Sequence, residues 1–490
     1  MSCNSSLKEG DLATSCGPSC RRTAARRPLL FLLPAVVVPG ILLAGLAAPL
    51  PGQTRVESEA AGPLLRAADV FALAARSGQL FDAVRDTSQL KNGKVLAFEN
   101  NRYFVYMLGS LSASPRLTRR LILLKPSTFV VDDRVQVSGS KRPARWRLQS
   151  GVPPEIKGRR VCIARPGGEL LCETLLPAEA TLGSARQEDA GVQRAGYRVE
   201  VASPDDRAEV RYLHLLHVRG GDDKSPTARA ELTHKNGQFN LTIAAAGRVF
   251  RLSLPPPSEA AGAIAVSKGG GEVLLENRLL PSGVLPHGPQ GNRLLEGWDS
   301  AYRRDRRPGW DTRRPASELS KVVEGGSVPA GRAVVLGCGS GTNAVYLARK
   351  GFEVTGIDVA PTALNQAQQQ AEKAGVKVRW LLADVLAVPE LKPFDFIFDR
   401  GCYHGVRRHD AAGYAKTVRR LSRGGTFCLI LAGNANEARH YGPPRVKEAE
   451  IRADFSAEFD FRWLRETRFD TMVPGGKGPL AWSILLRRKE

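Results

Sequence analysis

A loop of alternating glycines is the part of this 490-residue sequence best suited to hold a ligand. An apolar run at 333–336 leads into Gly337, Gly339 and Gly341, and a helical pattern follows at 343–350. Glycines at this spacing let the chain turn sharply, and they let a ligand lie against the backbone where a β-carbon would collide. The pattern therefore predicts a strand, a tight loop and a helix, with a ligand over the start of the helix.

Acidic residues end the apolar runs that follow this loop. The second run ends at Asp358, just before Val359, and the third ends at Asp384, just before Val385. A fourth run ends at Asp399. Because the carboxyl ends of parallel strands meet at one edge of a sheet, we expect these side chains beside the glycine loop. For Asp358 and Asp384 the alternative is that they only cap the turns after their strands.

Three further candidates follow the fourth run at the same edge. Arg400, Tyr403 and His404 lie just after Asp399. An imidazole there could act as general base for an oxygen or thiol acceptor. A structural histidine held by a hydrogen bond is the alternative interpretation. We therefore take Arg400, Tyr403 and His404 as the candidate catalytic residues.

Taken together, Gly-Cys-Gly-Ser-Gly at 337–341 and the later strands ending in acids resemble the motifs of class I S-adenosylmethionine-dependent methyltransferases. The resemblance implies S-adenosyl-L-methionine as cofactor, with the loop under its methionine part, Asp358 on the ribose and Asp384 facing the adenine amino group. Nicotinamide-binding folds use a similar loop, but the order and spacing of all the motifs favour the methyltransferase. Methyl transfer by direct in-line attack needs no covalent intermediate, so Cys338 is expected to fill the loop. The implied cofactor contacts are Gly337, Cys338, Gly339, Gly341, Asp358, Val359, Asp384, Val385, Asp399 and Trp310.

Aromatic residues precede the loop. The stretch from Trp298 to Tyr302, with Trp310, is similar to the lead-in of thiopurine S-methyltransferase-like small-molecule methyltransferases. There the lead-in closes over the cofactor and lines the acceptor pocket. The similarity implies a small-molecule acceptor, its oxygen, sulfur or nitrogen atom undetermined, and makes Trp310 the cover that excludes water. Packing of Trp310 in the core is the alternative.

The elements that must position these residues fall into two folded regions. Strand and helix patterns alternate over 298–490, which predicts an α/β doubly wound, Rossmann-like domain, and the resemblance implies that this is the methyltransferase domain. Over 95–255 the periodicity is two, with turn signals such as Asn236-Gly237, which predicts an antiparallel β-sandwich. The expected fold class is therefore multidomain. Residues 51–94 are predicted as a partly helical connector and 256–297 as a Pro/Gly-rich linker.

The predicted sandwich carries a second resemblance. Residues 101–110 and 119–135 look like the carboxy-terminal β-sandwich of heparinase II/III-like polysaccharide lyases. That family's chemistry relies largely on a preceding helical toroid, which the residues between the apolar segment and Leu96 are too few to form, so lyase activity is not expected. The resemblance thus implies a structural or sugar-binding module with acidic polysaccharide as partner. The rival function is a cell-envelope polysaccharide-binding or degenerate lyase protein whose methyltransferase fold is vestigial.

The amino-terminal residues 1–50 form a basic leader and an apolar segment. Residues 28–50 contain no charge and follow Arg21, Arg22, Arg26 and Arg27, which predicts a signal peptide or a membrane anchor. Either would direct the following chain to the cell envelope. S-adenosylmethionine is made in the cytoplasm, so the localisation stays open between the cell envelope and the cytoplasm.

Charge and cysteine usage bound the partners. The chain has 71 Lys+Arg against 49 Asp+Glu, a formal charge of +22, but its arginines are scattered, which favours a generally basic surface. No nucleic-acid recognition element and no acidic metal cluster is seen, so neither partner is expected. Cys162 and Cys172 could bridge across a hairpin or stay free.

Overall fold

The structure is a computed structural model that describes residues 64–66, 93–111, 116–136, 145–187, 196–204, 209–221, 223–224, 226–235, 238–256, 262–286, 288–304, 306–438 and 442–490. All of these belong to one compact unit. The predicted signal or anchor at 28–50 and the Asn236-Gly237 turn lie outside the described residues. Within the described ranges, no helix is both long and apolar enough to cross a membrane.

Strands between residues 64 and 279 form three sheets. Their orders are β1-β6-β11-β10, β2-β3-β4-β5-β12-β9-β8-β7 and β13-β14-β15-β16-β17. The strands are β1 (Leu64–Arg66), β2 (Gly93–Asn100), β3 (Phe104–Leu111), β4 (Arg116–Leu124), β5 (Thr128–Gln136), β6 (Arg145–Ser150), β7 (Glu155–Lys157), β8 (Arg160–Arg165), β9 (Gly168–Leu176), β10 (Thr181–Gln187), β11 (Gly196–Ala202), β12 (Glu209–Gly220), β13 (Arg229–Lys235), β14 (Gln238–Ala245), β15 (Arg248–Leu254), β16 (Ala263–Lys268) and β17 (Val273–Leu279). The predicted antiparallel sheets are thus present.

The eight-stranded sheet lies between the other two. Because side chains alternate along a strand, Val105 and Met107 of β3 pack with Trp146 of the four-stranded sheet. Phe104 and Tyr106 face the other way, into a cluster with the five-stranded sheet. The predicted two-layer sandwich is therefore a three-layer arrangement with a core on each face of the central sheet.

Two boundary predictions for this region are wrong. Residues 256–297 are not a linker, because β16 and β17 complete the five-stranded sheet and α1 begins at Gly288. Gly271, at φ +94°, lies in the turn between β16 and β17. In the predicted partly helical connector, 51–94, the described residues are β1, which pairs parallel with β6, and the first two residues of β2. A strand partner outweighs the helical spacing there.

The chain from residue 288 alternates strands and helices around a fourth sheet, as predicted. The sheet order is β20-β19-β18-β21-β22-β25-β24, and β25 is antiparallel to β22. The strands are β18 (Arg332–Leu336), β19 (Glu353–Asp358), β20 (Val378–Leu382), β21 (Phe394–Arg400), β22 (Ser422–Asn434), β23 (Arg445–Val446), β24 (Phe459–Arg468) and β25 (Leu480–Arg488). The helices are α1 (Gly288–Arg303), α2 (Ser317–Glu324), α3 (Thr342–Arg349), α4 (Pro361–Lys373), α5 (Tyr403–Leu421) and α6 (Glu448–Phe455).

The parallel strands bring the predicted site residues to one edge. In register, Leu336 of β18 lies beside Ile357 of β19 and Asp399 of β21, and Asp358 lies beside Leu382 of β20. Apolar cores cover both faces of the sheet. The glycine loop, Asp358 and Asp384 therefore share the carboxyl edge, where open α/β sheets bind ligands.

Candidate cofactor and acceptor site

The glycine loop has no room for side chains at its turning points. Gly337, Gly339 and Gly341 adopt φ values of +60°, +55° and +86°. A β-carbon at Gly337 would lie 2.6 Å from Cβ of Cys402, and one at Gly339 would lie 2.7 Å from the Tyr302 hydroxyl. Both the backbone and the space thus require glycine, which is what close approach of a ligand needs.

An open cleft runs along this loop. It encloses about 460 Å³ of space that is open to solvent. Its walls come from the lead-in, the loop, the start of α3 and the ends of β18 and β21, and they are formed by Tyr302, Trp310, Asp311, Thr312, Arg314, Val335, Gly337, Cys338, Gly339, Ser340, Thr342, Asn343, Phe398 and Arg400. The cleft therefore gathers Trp310, Arg400 and the loop, as the sequence predicts.

Asp358 connects the end of β19 to the loop. Its Oδ2 accepts the N–H of Gly339 at 2.7 Å, and its Oδ1 accepts the N–H of Ala360 at 2.9 Å. Burial raises the pKa of this carboxyl, while the backbone N–H groups oppose that rise. The residue is half-buried, and its two hydrogen bonds hold the carboxylate against the glycine loop. Val359 beside it packs against the core of the sheet.

Asp384 does cap a turn. Its Oδ1 accepts the N–H of Leu386 at 2.9 Å at the start of a 3-10 turn, Val385–Ala387. Burial raises the pKa of Asp384. The carboxyl is half-buried, and its hydrogen bond to Leu386 uses one of its two oxygens, so capping and ligand contact are compatible. Val385 is buried beneath it.

Asp399 does not face the cleft. It is fully buried, and its carboxylate accepts the N–H groups of Cys402 and Tyr403 and the hydroxyl of Tyr414. Burial raises its pKa to about 7. The start of α5 needs acceptors for its backbone N–H groups, and Asp399 supplies them. The structure therefore does not support the predicted cofactor contact.

Tyr403 is also a structural residue. It is fully buried, and its hydroxyl donates to Asp454 at 2.6 Å. Its ring packs against Tyr414 and Phe455. Burial raises the pKa of the phenol, so its proton is firmly held. Tyr403 joins α5 to α6 and takes no place in the cleft.

His404 lies close to the site with one nitrogen occupied. Its ring is buried, and Nδ1 accepts the N–H of Gly433 at 3.0 Å. Burial and the Arg400 guanidinium lower the pKa of His404 to about 4. The ring is thus neutral with its proton on Nε2, which makes it a donor. This favours the structural alternative over the general base.

Arg400 forms part of the cleft wall. Its guanidinium donates to the carbonyl oxygens of Trp310 at 2.9 Å and Asp470 at 3.2 Å, and it lies 5.3 Å from the ring centroid of Phe469. These contacts tie the lead-in to the segment after β24. Arg400 therefore shapes the site and places positive charge beside it.

The lead-in packs over the loop through its aromatic side chains. Nε1 of Trp310 donates to the hydroxyl of Tyr302 at 3.0 Å, and the ring meets Trp298 edge-on at 5.9 Å. Trp310 is 46% exposed, which excludes the alternative of core packing. An indole at the cleft mouth can cover a ligand there.

Two functional acids were missed from the sequence. Asp311 accepts the Ser340 hydroxyl at 2.9 Å, and Asp299 accepts the Thr362 N–H at 2.8 Å. Each follows a tryptophan, Trp310 and Trp298, and this repeated Trp-Asp pair is the signal that could have found them. They anchor the lead-in to the glycine loop and to the start of α4.

The remaining polar chemistry at the cleft is limited. Cys338 is buried, and burial raises the pKa of its thiol well above the usual value, so it is a thiol and not a nucleophile. Across the described part of the chain, no group of three or more His, Cys, Asp or Glu side chains could hold a metal. Cys162 and Cys172 are free thiols.

Known proteins match the carboxy-terminal part of the chain, which contains the cleft. Residues 294–481 match the family described as thiopurine S-methyltransferase. The 2-heptyl-1-hydroxyquinolin-4(1H)-one methyltransferase of Mycobacteroides abscessus is 30% identical over 169 residues, which are 32% of this chain and 74% of that protein. Probable thiol methyltransferase 2 of Arabidopsis thaliana is 28% identical over 150 residues, 30% of this chain and 66% of that protein.

Among solved structures, magnesium protoporphyrin IX methyltransferase of Synechocystis PCC 6803, with bound cofactor, is similar at 17% identity and a TM-score of 0.30. The similarity covers 35% of this chain and 77% of that one. The family match begins at residue 294, beyond the three sheets formed by residues 64–279, the three-sheet region. The resemblance of residues 95–255 to heparinase II/III-like lyases therefore stays a prediction.

Proposed function

This chain belongs to the S-adenosylmethionine-dependent methyltransferases, and we propose that it methylates a small-molecule acceptor by direct in-line transfer in the cleft beside residues 337–341. The observation that carries the proposal is the contact between Asp358 and Gly339, at the point where the loop has no room for a β-carbon. A carboxylate and a bare backbone thus meet at the carboxyl edge of the sheet.

The residues present fit the cofactor, S-adenosyl-L-methionine. We propose that Gly337 and Gly339 pass under its methionine part, that Asp358 accepts the ribose hydroxyls and that Asp384 faces the adenine amino group. When bound, the cofactor supplies a methyl group activated by a sulfonium. The chain supplies the orientation, because the acids are fixed by backbone hydrogen bonds before any ligand arrives.

The cleft supports transfer by positioning and exclusion of water. Trp310 and Tyr302 form a hydrogen-bonded pair over the loop, and Phe398 adds an apolar wall. A pocket covered in this way holds the acceptor in line and keeps competing water away. Arg400 holds the backbone of Trp310, so it contributes by positioning this cover.

The acceptor is proposed to lose its proton without a base from this chain. Asp311, the carboxylate in the cleft wall, already accepts the Ser340 hydroxyl and pairs with Arg313 at 3.1 Å. His404 offers a donor instead of a free lone pair. Acidic acceptors such as a thiol or an N-hydroxy heterocycle fit these conditions better than an aliphatic alcohol. The two relatives named above are called methyltransferases of these two kinds.

Calorimetry of the full chain with S-adenosylhomocysteine tests the cofactor site. We expect one site whose affinity falls strongly in Asp358→Ala, with Asp460→Asn, an exposed acid on β24, as the matched control. Methyl transfer to thiophenol and to 2-heptyl-1-hydroxyquinolin-4(1H)-one then tests the acceptor. Absence of binding, or binding that Asp358→Ala leaves unchanged, would sink the proposal.

Location and the sheet region's partner are separate proposals. We propose that the methyltransferase half faces the cytoplasm, because its cofactor is made there, whatever the role of residues 28–50. A compartment-sensitive reporter after Glu490 tests this, and a reporter found only outside the cytoplasm would refute it. Binding of acidic polysaccharide by the three-sheet region stays a prediction from its resemblance alone.

A further inference from the structure

The short segment between β17 and α1 is hydrogen-bonded on both sides. Toward the eight-stranded sheet, Phe98 of β2 donates its N–H to Gly283 at 3.3 Å and accepts the N–H of Leu285 at 3.1 Å. Toward the α/β sheet, Ser282 donates its N–H to the carbonyl of Leu382 at 2.8 Å. Both partners belong to edge strands, β2 and β20. The segment therefore joins the edges of two sheets.

The side chains of this segment, together with Leu279 at the end of β17, are divided between the cores of the three-sheet region and the core of the α/β sheet. Leu280 is fully buried in the core between the five- and eight-stranded sheets, and Val284 packs against the core on the other face. Leu279 and Leu285 pack into the core of the α/β sheet. A buried ion pair between Arg278 of β17 and Glu99 of β2 ties the five-stranded sheet to the eight-stranded sheet beside this segment. The junction is thus a shared core and not a tether.

Gly283 touches the turn that carries Asp384. A β-carbon at Gly283 would lie 2.4 Å from the carbonyl oxygen of Ala387 and 3.2 Å from Cβ of Ala383. Ala387 is the last residue of the 3-10 turn that Asp384 caps, and Ala383 directly precedes Asp384. Because the obstacle at Ala387 is backbone, a side chain at position 283 must change how this segment and the turn pack against each other.

We infer that the three-sheet region is a working part of the cofactor site, and that Gly283 is a positioning residue that sets Asp384 against the adenine. This inference rests on the proposed function. The family match begins at residue 294, so Gly283 and the segment around it lie outside the matched residues. Asp384 is held by its hydrogen bond to the Leu386 N–H, and the turn that it caps is packed against Gly283.

Discrimination between two ligands tests the positioning role in the full chain. S-adenosylhomocysteine carries the adenine amino group, and S-inosylhomocysteine carries a carbonyl in its place. We expect the unaltered protein to prefer the first by about tenfold, the value of one charged hydrogen bond. Gly283→Ala should reduce this preference to about twofold or less. Gly270→Ala, in the β16–β17 turn with open space around it, should keep it.

A preference that survives Gly283→Ala in a folded protein would overturn the inference. Failure of the unaltered chain to bind S-adenosylhomocysteine at all would instead overturn the proposed function. Hydrogen exchange on the unaltered chain decides the matter if Gly283→Ala does not fold. Ligand should slow exchange of the Ser282 amide together with that of Leu386, and protection of Leu386 alone would refute the coupling.

Discussion

The backbone N–H of Gly433 donates to Nδ1 of His404 at 3.0 Å. A neutral imidazole that accepts at Nδ1 carries its proton on Nε2, so no basic nitrogen remains for an acceptor. Burial and the Arg400 guanidinium keep the ring neutral by lowering its pKa to about 4. The residue that the sequence offers as a base is thus arranged as a donor beside the cleft.

Replacing His404 with asparagine should leave methyl transfer nearly intact. The amide oxygen of His404→Asn can accept the Gly433 N–H in place of Nδ1, so kcat should stay within about threefold, whereas loss of a general base costs 10²-fold or more. His404→Phe is the comparison, because it buries the N–H without an acceptor and should cost about 1–3 kcal/mol of stability. A hundredfold drop in kcat for His404→Asn, with cofactor affinity unchanged, would show that His404 acts as a general base.

His404 also predicts a pH dependence of stability. Its pKa is about 4 in the folded protein against the ordinary value of 6.5, so the unfolded chain binds more protons between these values. Its contribution is therefore complete above about pH 6.5 and is lost as the pH falls toward 4. Asp399, raised to about 7 by burial, has the opposite sign, since its contribution is lost as the pH rises toward 7.

Urea unfolding at pH 7.5 and pH 5 separates these effects. The difference in stability between the unaltered protein and His404→Asn should shrink by about 2 kcal/mol at the lower pH, because Asp399 is common to both proteins and cancels. An equal difference at both pH values would show that the ring titrates normally.

The two acids at the strand ends should differ in their effect on the cofactor. Asp358 can accept two ribose hydroxyls, so Asp358→Asn should weaken S-adenosylhomocysteine binding about a hundredfold. Asp384 faces one amino group, and Asp384→Asn should cost about tenfold. Calorimetry at one ionic strength measures both, with Asp460→Asn as control. Equal losses, or the reverse order, would contradict the assigned contacts.

The local sequence pattern was enough to predict the glycine loop and its acidic neighbour, Asp358. The glycine loop and Asp358 lie within one strand–loop–helix–strand unit, and their roles follow from backbone geometry that neighbouring residues impose. The alternation of strands and helices over the same region is equally local. The spacing of the residues was therefore enough to predict that Gly337, Gly339 and Asp358 lie together at one edge of the sheet.

Distant packing decided what the sequence missed. Tyr403 is adjacent to His404 in the sequence, yet its hydroxyl donates to Asp454 on α6. The spacing of residues in the sequence does not show that α6 packs against α5. Asp399 resembles the other strand-end acids, but the start of α5 follows it so closely that its oxygens turn inward to the helix. Similarly, β16 forms where Pro and Gly suggested a linker, because β15 offers it an edge.

Trp310 should report cofactor binding by its fluorescence. It is 46% exposed at the cleft mouth and hydrogen-bonds to Tyr302, so a ligand beneath it should change its environment. Trp310→Phe should remove most of the change that S-adenosylhomocysteine causes, and should lower kcat about tenfold by loosening the cover. Trp463→Phe, on β24, is the control and should keep the change. A full response in Trp310→Phe would place the cover elsewhere.

Two glycines with the same backbone conformation separate strain from crowding. Gly341 and Gly351 have φ values of +86° and +87°, so alanine at either costs about 1 kcal/mol from the left-handed backbone. At Gly341 the new β-carbon would also lie 2.7 Å from Cβ of Ala367 and 2.8 Å from the Trp380 ring, whereas nothing lies within 4 Å at Gly351. Gly341→Ala should therefore lose about 1–3 kcal/mol more in urea unfolding.

Only Gly341→Ala should also affect the ligand. Gly341 precedes α3 in the glycine loop, so relief of the crowding must shift the loop or α4, and affinity for S-adenosylhomocysteine should fall about tenfold or more. Gly351 follows α3 at its far end, and Gly351→Ala should bind the ligand as the unaltered protein does. Parallel losses of affinity in both variants would mean that general destabilisation, and not the shape of the loop, governs binding.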